Sequence, residues 1–319
     1  MSQSEFDIIH RYFSGPSWPL SQDVVLGAGD DCAILNVPGG KELMVSTDTL
    51  VEGVHFPMNW DAGLIASRAL RVNLSDLAAM GADPLACTLA LTLGSAEEIW
   101  LQQFSDAFRS LSVEFEIPLV GGNLAKGPLS ITIQVMGTVA AGKGLRRSRA
   151  ECGDEIYVTG LLGEGAGGLK VIQDQRSESE FADLLMAYCH PHPRLIAGQK
   201  LLGLASAAID VSDGLMADLG HLVRASGVGA QLNFDEVPIS ENLIKLVGTE
   251  QAREMALTGG DDYELCFTAP AELRSQILST DFGVMVTRIG KVTAAGAGVT
   301  LLDGNGQAID LAATGYLHF

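Results

Sequence analysis

LRVNLSDLAAMGADPLACTLALT, Leu70–Thr92, decides the fold class. Leu70, Leu74 and Leu77 recur at helical spacing, and the pattern stops at Gly81, as a helix with a left-handed terminator does. The run from Pro84 to Thr92 then reads as a buried strand. A helix delivering the chain through a glycine into a strand belongs to a mixed α/β protein.

The same alternation extends in both directions. Strands are expected at Glu42–Ser46 and Leu129–Val139, the latter with Ile131, Ile133, Val135 and Val139 on a two-residue period. Helices are expected at Asp61–Met80 and Ala96–Glu114. AAGKGLRRSRAECG, Ala140–Gly153, breaks the pattern with glycines and a run of basic residues, so the chain divides there into an N-terminal domain, 1–142, and a C-terminal domain, 143–319. Beyond it, strands are expected at Glu155–Thr159, Ala207–Val211, Glu264–Thr268 and Val284–Ile289, with a helix at Leu215–Ser226. The fold class is α/β (α+β) in two domains.

The chain has 319 residues, 47% of them hydrophobic, enough for a sizeable core. Its 39 acidic residues against 20 basic ones give a net charge of -19, which opposes non-specific binding to nucleic acid or an anionic membrane. The partner is then cationic, or an anion brought in with metal ions. Cys32, Cys87, Cys152, Cys189 and Cys266 show no metal-ligand spacing and read as reduced core residues, pointing to the cytoplasm. No signal peptide and no membrane-spanning run is expected.

Acidic residues recur at strand ends and beside glycines: GAGDDCAIL with Asp30 and Asp31, VSTDTL with Asp48, VNLSDLAAMGA with Asp76, and AIDVSDGL with Asp210 and Asp213. Singly, each reads as a turn aspartate or helix cap. Together, with Ser46 and Thr47 adjacent to Asp48, they suit several Mg2+ ions, which take hard oxygen ligands and share their shell with water and substrate phosphates. No His/Cys constellation points to zinc.

VGGNLAKGP, Val120–Pro128, reads as a loop whose Gly121 and Gly122 leave backbone N–H groups open to phosphate. It is not a Walker A motif, because Lys126 precedes Gly127 and Pro128 instead of a Ser or Thr. Lys126 is either solvated or a phosphate contact. Arg146, Arg147 and Arg149 form either a solvated interdomain turn or a guanidinium contact to nucleotide phosphate.

In order, GDDCAIL, STDTLVEGVHF, VNLSDLAAMGADP, VGGNLAKGPLSIT, LRRSRAECGDEIYVTG, IDVSDGLMADLGHL and TGGDDYELCFT closely resemble the thiamine-monophosphate kinase family. That family lies within the ATP-binding superfamily that includes aminoimidazole ribonucleotide synthetase and selenophosphate synthetase. The terminal GYLHF extends the resemblance. It implies an aminoimidazole ribonucleotide synthetase-like fold: an N-terminal mixed-sheet domain that forms a homodimer, and a C-terminal α/β domain completing an ATP cleft. It also implies ATP-dependent phosphorylation of thiamine monophosphate to thiamine diphosphate.

By position, the resemblance places Asp31, Ser46, Thr47, Asp48, Asp76, Asp210 and Asp213 at Mg2+, with Asp30 beside them. Gly121, Gly122, Arg147 and Ser212 fall at ATP, and His55, Asp261 and Tyr316 near the thiamine phosphate. No residue is implied as a general base, because a phosphate monoester with a second pKa of about 6 is already charged at neutral pH. The barrier instead lies in bringing two polyanions in line.

Two positions depart from the family pattern. Asn123 stands where the family carries a metal-binding Asp in GGD, placing it in both the metal and ATP sets without the charge. Asp261 replaces a Glu in GGEDYEL. The rival readings are another ATP-using enzyme of the superfamily, or a weakly active or non-catalytic nucleotide-binding homologue marked by Asn123.

Overall fold

The computed structural model describes residues 5–15, 18–296 and 298–309. They form two compact units. One comprises the described residues of Met1–Leu77 together with Ala82–Gly142; the other comprises Ala78–Gly81 and the described residues of Lys143–Phe319.

The first unit runs α1 (Glu5–Ile8), a π-helical turn at Ile9–Phe13, β1 (Val24–Leu26), β2 (Ile34–Leu35), β3 (Lys41–Val51), α2 (Ala62–Ala79), β4 (Asp83–Leu93), α3 (Glu98–Glu114), β5 (Leu119–Lys126) and β6 (Ser130–Ala140). Strands β3, β6, β4 and β5 make one mixed sheet in that order; only the β4–β5 pair is parallel. Helix α2 is buried nearly all round, with Ile65, Ala69, Leu70, Leu74 and Leu77 in the core. It ends as its sequence indicates: Gly81 adopts φ +68°, its N–H donates to the Ala78 carbonyl, and the Ala82 N–H donates to that of Leu77. On α3, Phe104 and Phe108 meet Phe13 and Trp18 from the N-terminal segment.

VGGNLAKGP corrects the sequence reading. It is not a loop: most of it is the edge strand β5, with Leu119 and Val120 buried and Thr88, Leu89 and Ala90 paired to Gly121, Gly122 and Asn123. Two adjacent glycines mask the strand pattern because they offer no side chain to read. Gly122 is needed there for close approach, since a Cβ on it would lie 1.8 Å from the Leu89 carbonyl oxygen.

The second unit runs β7 (Glu155–Thr159), α4 (Glu164–Gln173), α5 (Ala182–Cys189), α6 (Leu195–Leu201), β8 (Ala207–Val211), α7 (Leu215–Ser226), β9 (Gly229–Asn233), α8 (Glu241–Val247), α9 (Thr249–Thr258), β10 (Glu264–Ala269), α10 (Arg274–Ser279), β11 (Val286–Thr293), β12 (Val299–Leu302) and β13 (Ala308–Ile309). Its seven-stranded sheet has the order β13-β12-β9-β11-β7-β10-β8, antiparallel except for β9 with β12. Leu215, Leu219, Leu222 and Val223 of α7 recur at i, i+4, i+7 and i+8 and join Ile156, Val158, Ile209 and Val211 in one core.

None of the five cysteines is in a disulfide. Only Cys87, Cys189 and Cys266 are core residues; Cys32, in the β1–β2 loop, and Cys152, in the turn before β7, are exposed. Among the described residues no helix is long and apolar enough to cross a membrane.

Candidate active site

The loop carrying Asp30 and Asp31 interrupts a small ribbon. β1 and β2 pair across it, and Val24, Ala33 and Leu35 pack on Leu85, Ala86, Val120 and Met136 of the four-stranded sheet. That docking sets the loop near β5. Asp30, Asp31 and Cys32 line a cavity of about 710 Å3 together with Gly121, Gly122 and Asn123, while Ile9, Phe13, Leu89 and Leu91 give it apolar walls. Within the loop, the Asp30 carboxylate accepts the Asp31 backbone N–H at 2.8 Å.

Alternation along β3 sends Ser46 and Asp48 to one face of the sheet and Thr47 to the other. Ser46 Oγ donates to Asp76 of α2 at 2.5 Å. One turn earlier on α2, Asn73 Oδ1 accepts the Asp48 backbone N–H at 3.2 Å. On the opposite face, Thr47 Oγ1 accepts from Gln134 of β6 at 3.3 Å. The fold therefore gathers Ser46, Asp48 and Asp76 on one face and leaves the Thr47 hydroxyl off it.

His55 closes the turn after β3. Its Nδ1 accepts the Val51 N–H at 3.0 Å, which makes Nδ1 the unprotonated ring nitrogen while that bond stands. Its carbonyl accepts from Arg68 Nε at 3.2 Å.

In the second unit, Asp210 is buried in β8, and Ser212 and Asp213 form the link to α7. This link is bonded to the GGDDYEL segment: the Ser212 carbonyl accepts the Asp261 N–H at 2.9 Å and the Val211 carbonyl accepts the Tyr263 N–H at 2.8 Å. Asp261 has φ +73°, a conformation unusual for a residue with a side chain, and its carboxylate accepts from Tyr263 Oη at 3.1 Å. Asp210, Ser212, Asp213 and Asp261 thus lie on two adjoining segments. Arg147 is exposed in a short 3-10 turn, Arg147–Arg149, tied to the last residue of α7: Ser226 Oγ donates to the Arg147 carbonyl at 2.7 Å and accepts the Ala150 N–H at 3.0 Å. Tyr316 lies outside the described residues.

Three acids that frame this second group, Asp218 and Glu264 buried and Asp262 half-buried, are not singled out by the sequence reading. Asp218 Oδ2 accepts the backbone N–H groups of Ser212, Asp213 and Gly214 at 3.0, 2.9 and 3.1 Å, and burial pushes its pKa up to about 6. Asp262 accepts from the Gly163 and Gly165 N–H groups where α4 begins, with burial holding its pKa well above the carboxylate range. Glu264 takes both nitrogens of an Arg194 fork and the Thr159 hydroxyl, and is structural. One signal was available: Asp218 falls inside the Leu215, Leu219, Leu222 stripe, where a charged residue needs buried partners.

Among the described residues, no three His, Cys, Asp or Glu side chains gather as a metal-holding group. The acidic positions present oxygen donors singly and in small sets, an arrangement suited to a hard divalent cation that completes its shell with water and phosphate.

Residues 29–139 match the AIR synthase related protein, N-terminal domain, and residues 151–302 the AIR synthase related protein, C-terminal domain. The thiamine-monophosphate kinase of Salmonella typhimurium is 46% identical, over 100% of this chain and 99% of that relative. The chain belongs to the thiamine-monophosphate kinase family. The crystal structure of the thiamine-monophosphate kinase from Stenotrophomonas maltophilia K279a superposes with a TM-score of 0.84 at 44% identity, covering 90% of this chain and 93% of that one. A structure of AaThiL complexed with AMPPCP and TMP matches with a TM-score of 0.79 at 29% identity, covering 89% of each chain. Of the two departures from the thiamine-monophosphate kinase pattern, Asn123 lies in the cavity wall with Asp30 and Asp31, and Asp261 holds the left-handed position bonded to Ser212.

Proposed function

We propose that this chain transfers the γ-phosphoryl group of ATP to the phosphate of thiamine monophosphate, releasing thiamine diphosphate and ADP. The observation that carries this reading is the 46% identity to a thiamine-monophosphate kinase across the whole chain. The acceptor phosphate is already an anion, so the chain need only bind, orient and shield, a task that carboxylates holding cations can serve.

Mg2+ is the cation proposed for Asp31, Ser46, Asp48, Asp76, Asp210 and Asp213, with Asp30 and Asn123 beside them; the all-oxygen donor set fits it, and Thr47 drops out of it because its hydroxyl lies on the other face of β3 against Gln134. When bound, it neutralises phosphate charge and fixes phosphate oxygens for in-line displacement. The chain's own part is placement. β3 and α2 hold Ser46 and Asp76 in contact. Gly121 and Gly122 keep the cavity wall free of side chains for ATP, to which Ser212 and Arg147 are also assigned. The thiamine monophosphate substrate is assigned to His55, Asp261 and Tyr316. Of these, Asp261 keeps the charge of the family's Glu one methylene closer to its own backbone.

A homodimer is supported by the exposed Leu43 and Val45 on the edge strand β3. A cytoplasmic location is supported by five cysteines outside any disulfide.

The deciding experiment incubates the protein with ATP, Mg2+ and thiamine monophosphate. Thiamine diphosphate and ADP in equal amounts are the expected products. Absence of thiamine diphosphate from both this chain and its Asn123→Asp form would assign it to nucleotide binding without this transfer.

A further inference from the structure

Helix α7 begins at Leu215, and the groups in need of partners at a helix start are the N–H groups of its own first turn. Asp218 bonds none of these. Its Oδ2 instead collects the N–H groups of Ser212, Asp213 and Gly214, the three residues that precede the helix. The carboxylate is 4% exposed and projects from a helix anchored by Leu215, Leu219 and Leu222, each wholly buried. Three charge-assisted bonds to one oxygen on a fixed helix leave the 212–214 link little freedom.

Ser212 is consequently held at both its backbone groups. Asp218 takes its N–H, and its carbonyl takes the N–H of Asp261. Ser212, beside the Val211–Tyr263 bond, thus bonds the segment assigned to nucleotide and cation to the segment assigned to the thiamine monophosphate.

We infer that Asp218 is a positioning residue for the transfer reaction, holding Ser212 and Asp213 in the conformation that receives the nucleotide–cation complex and aligning them with Asp261. The inference rests on the kinase reading above. Placement of this kind matters because a displacement of about 1 Å at a reacting pair costs up to roughly 100-fold in rate.

The test compares wild type, Asp218→Asn, Asp218→Ala and Leu222→Val. The last loosens the same helix four residues beyond the loop-binding carboxylate without touching the 212–214 link. Two quantities are read for each: the Kd for AMPPCP with Mg2+, by calorimetry, and kcat with both KM values. Asp218→Ala is expected to weaken AMPPCP binding about tenfold or more and to lower kcat by about 10- to 100-fold. Asp218→Asn, which keeps an acceptor oxygen without the charge, is expected to fall between wild type and Ala. Leu222→Val is expected to lower Tm with Kd and kcat within about twofold of wild type.

Wild-type Kd and kcat in Asp218→Ala would overturn the inference. So would equal losses in Leu222→Val, which would mean that the helix alone matters. If Asp218→Ala does not fold, Asp218→Asn decides, and wild-type values in it overturn the inference. A wild-type protein that forms no thiamine diphosphate refutes the kinase reading instead, and the AMPPCP series still reports on the loop.

Discussion

The Ser46 hydroxyl on β3 donates a 2.5 Å hydrogen bond to the Asp76 carboxylate on α2, joining a strand and a helix at one acidic position. Removing the carboxylate charge should therefore do more than weaken one bond. Asp76→Asn is expected to reduce kcat by at least about 10- to 100-fold, the range that partners of metal ligands already cost. The Mg2+ concentration giving half-maximal rate should rise with it. Steady-state rates over an Mg2+ titration measure both.

Asn123 stands in the cavity wall beside Asp30 and Asp31 and carries no charge, where the sequence reading expects an Asp. Asn123→Asp is expected to lower the Mg2+ concentration needed for half-maximal rate and to raise kcat. An unchanged Mg2+ dependence and rate would refute a metal role for this position.

Gly121 and Gly122 are adjacent in β5 but differ in surroundings. A Cβ on Gly121 meets nothing within 4 Å, whereas one on Gly122 collides with the Leu89 backbone. Gly122→Ala is expected to cost about 2–4 kcal/mol by forcing β5 away from β4, and Gly121→Ala less than about 1 kcal/mol. Urea unfolding midpoints of the two variants check the contrast.

Glu155, buried at the start of β7, bonds Arg274, Tyr157 and Arg288. The Arg274 fork is the largest influence lowering its pKa from an ordinary 4.5 to about 2, with Tyr157 and Arg288 adding to it against the opposing effect of burial. A depressed pKa means that the folded state favours the charged form. Its stabilising contribution is thus complete above about pH 4.5 and is lost as pH falls through about 2. Glu155→Gln is expected to lower stability at pH 7 and to flatten the acid limb of the stability profile between those values. Urea midpoints measured from pH 2 to 7 test the slope.

Leu43 and Val45 lie 43% and 53% exposed on an edge strand, a surface that a partner strand or sheet would cover. The protein is expected to sediment at twice its 33.6 kDa chain mass, and the double substitution Leu43→Lys, Val45→Lys at once its mass. A wild-type monomer at micromolar concentration would remove the dimer proposal.

Periodicity made much of the fold legible. β7, β8 and α7 have the bounds read from the sequence, and the other elements read there differ by up to five residues at their ends; the short strands β1, β2, β9, β12 and β13 were not read from it. β5 was lost because its Gly-Gly pair removes the side-chain alternation by which strands are recognised. Of the candidate site, Asp30, Asp31 and Asn123 meet in a cavity and Ser46 meets Asp76, but Thr47 is turned to the far face by the two-residue period of β3. Asp218 and Asp262 escaped notice for a different reason. Their work is done through backbone N–H groups, and those groups are the same in every residue but proline, so the sequence does not record which ones they hold; only the place of Asp218 inside the Leu215, Leu219, Leu222 stripe marks a carboxylate in need of buried partners.

Helix α7 grips a loop at each end: Asp218 holds the 212–214 link and Ser226 the Arg147 turn. Its 12 residues make a strut about 18 Å long. Inserting or deleting one residue would swing one end by about 100° against the other and tear one of the two grips away. Length along this helix is therefore invariant, while its outward residues His221, Arg224 and Ala225 are free to drift; divergence here should proceed by substitution and never by insertion.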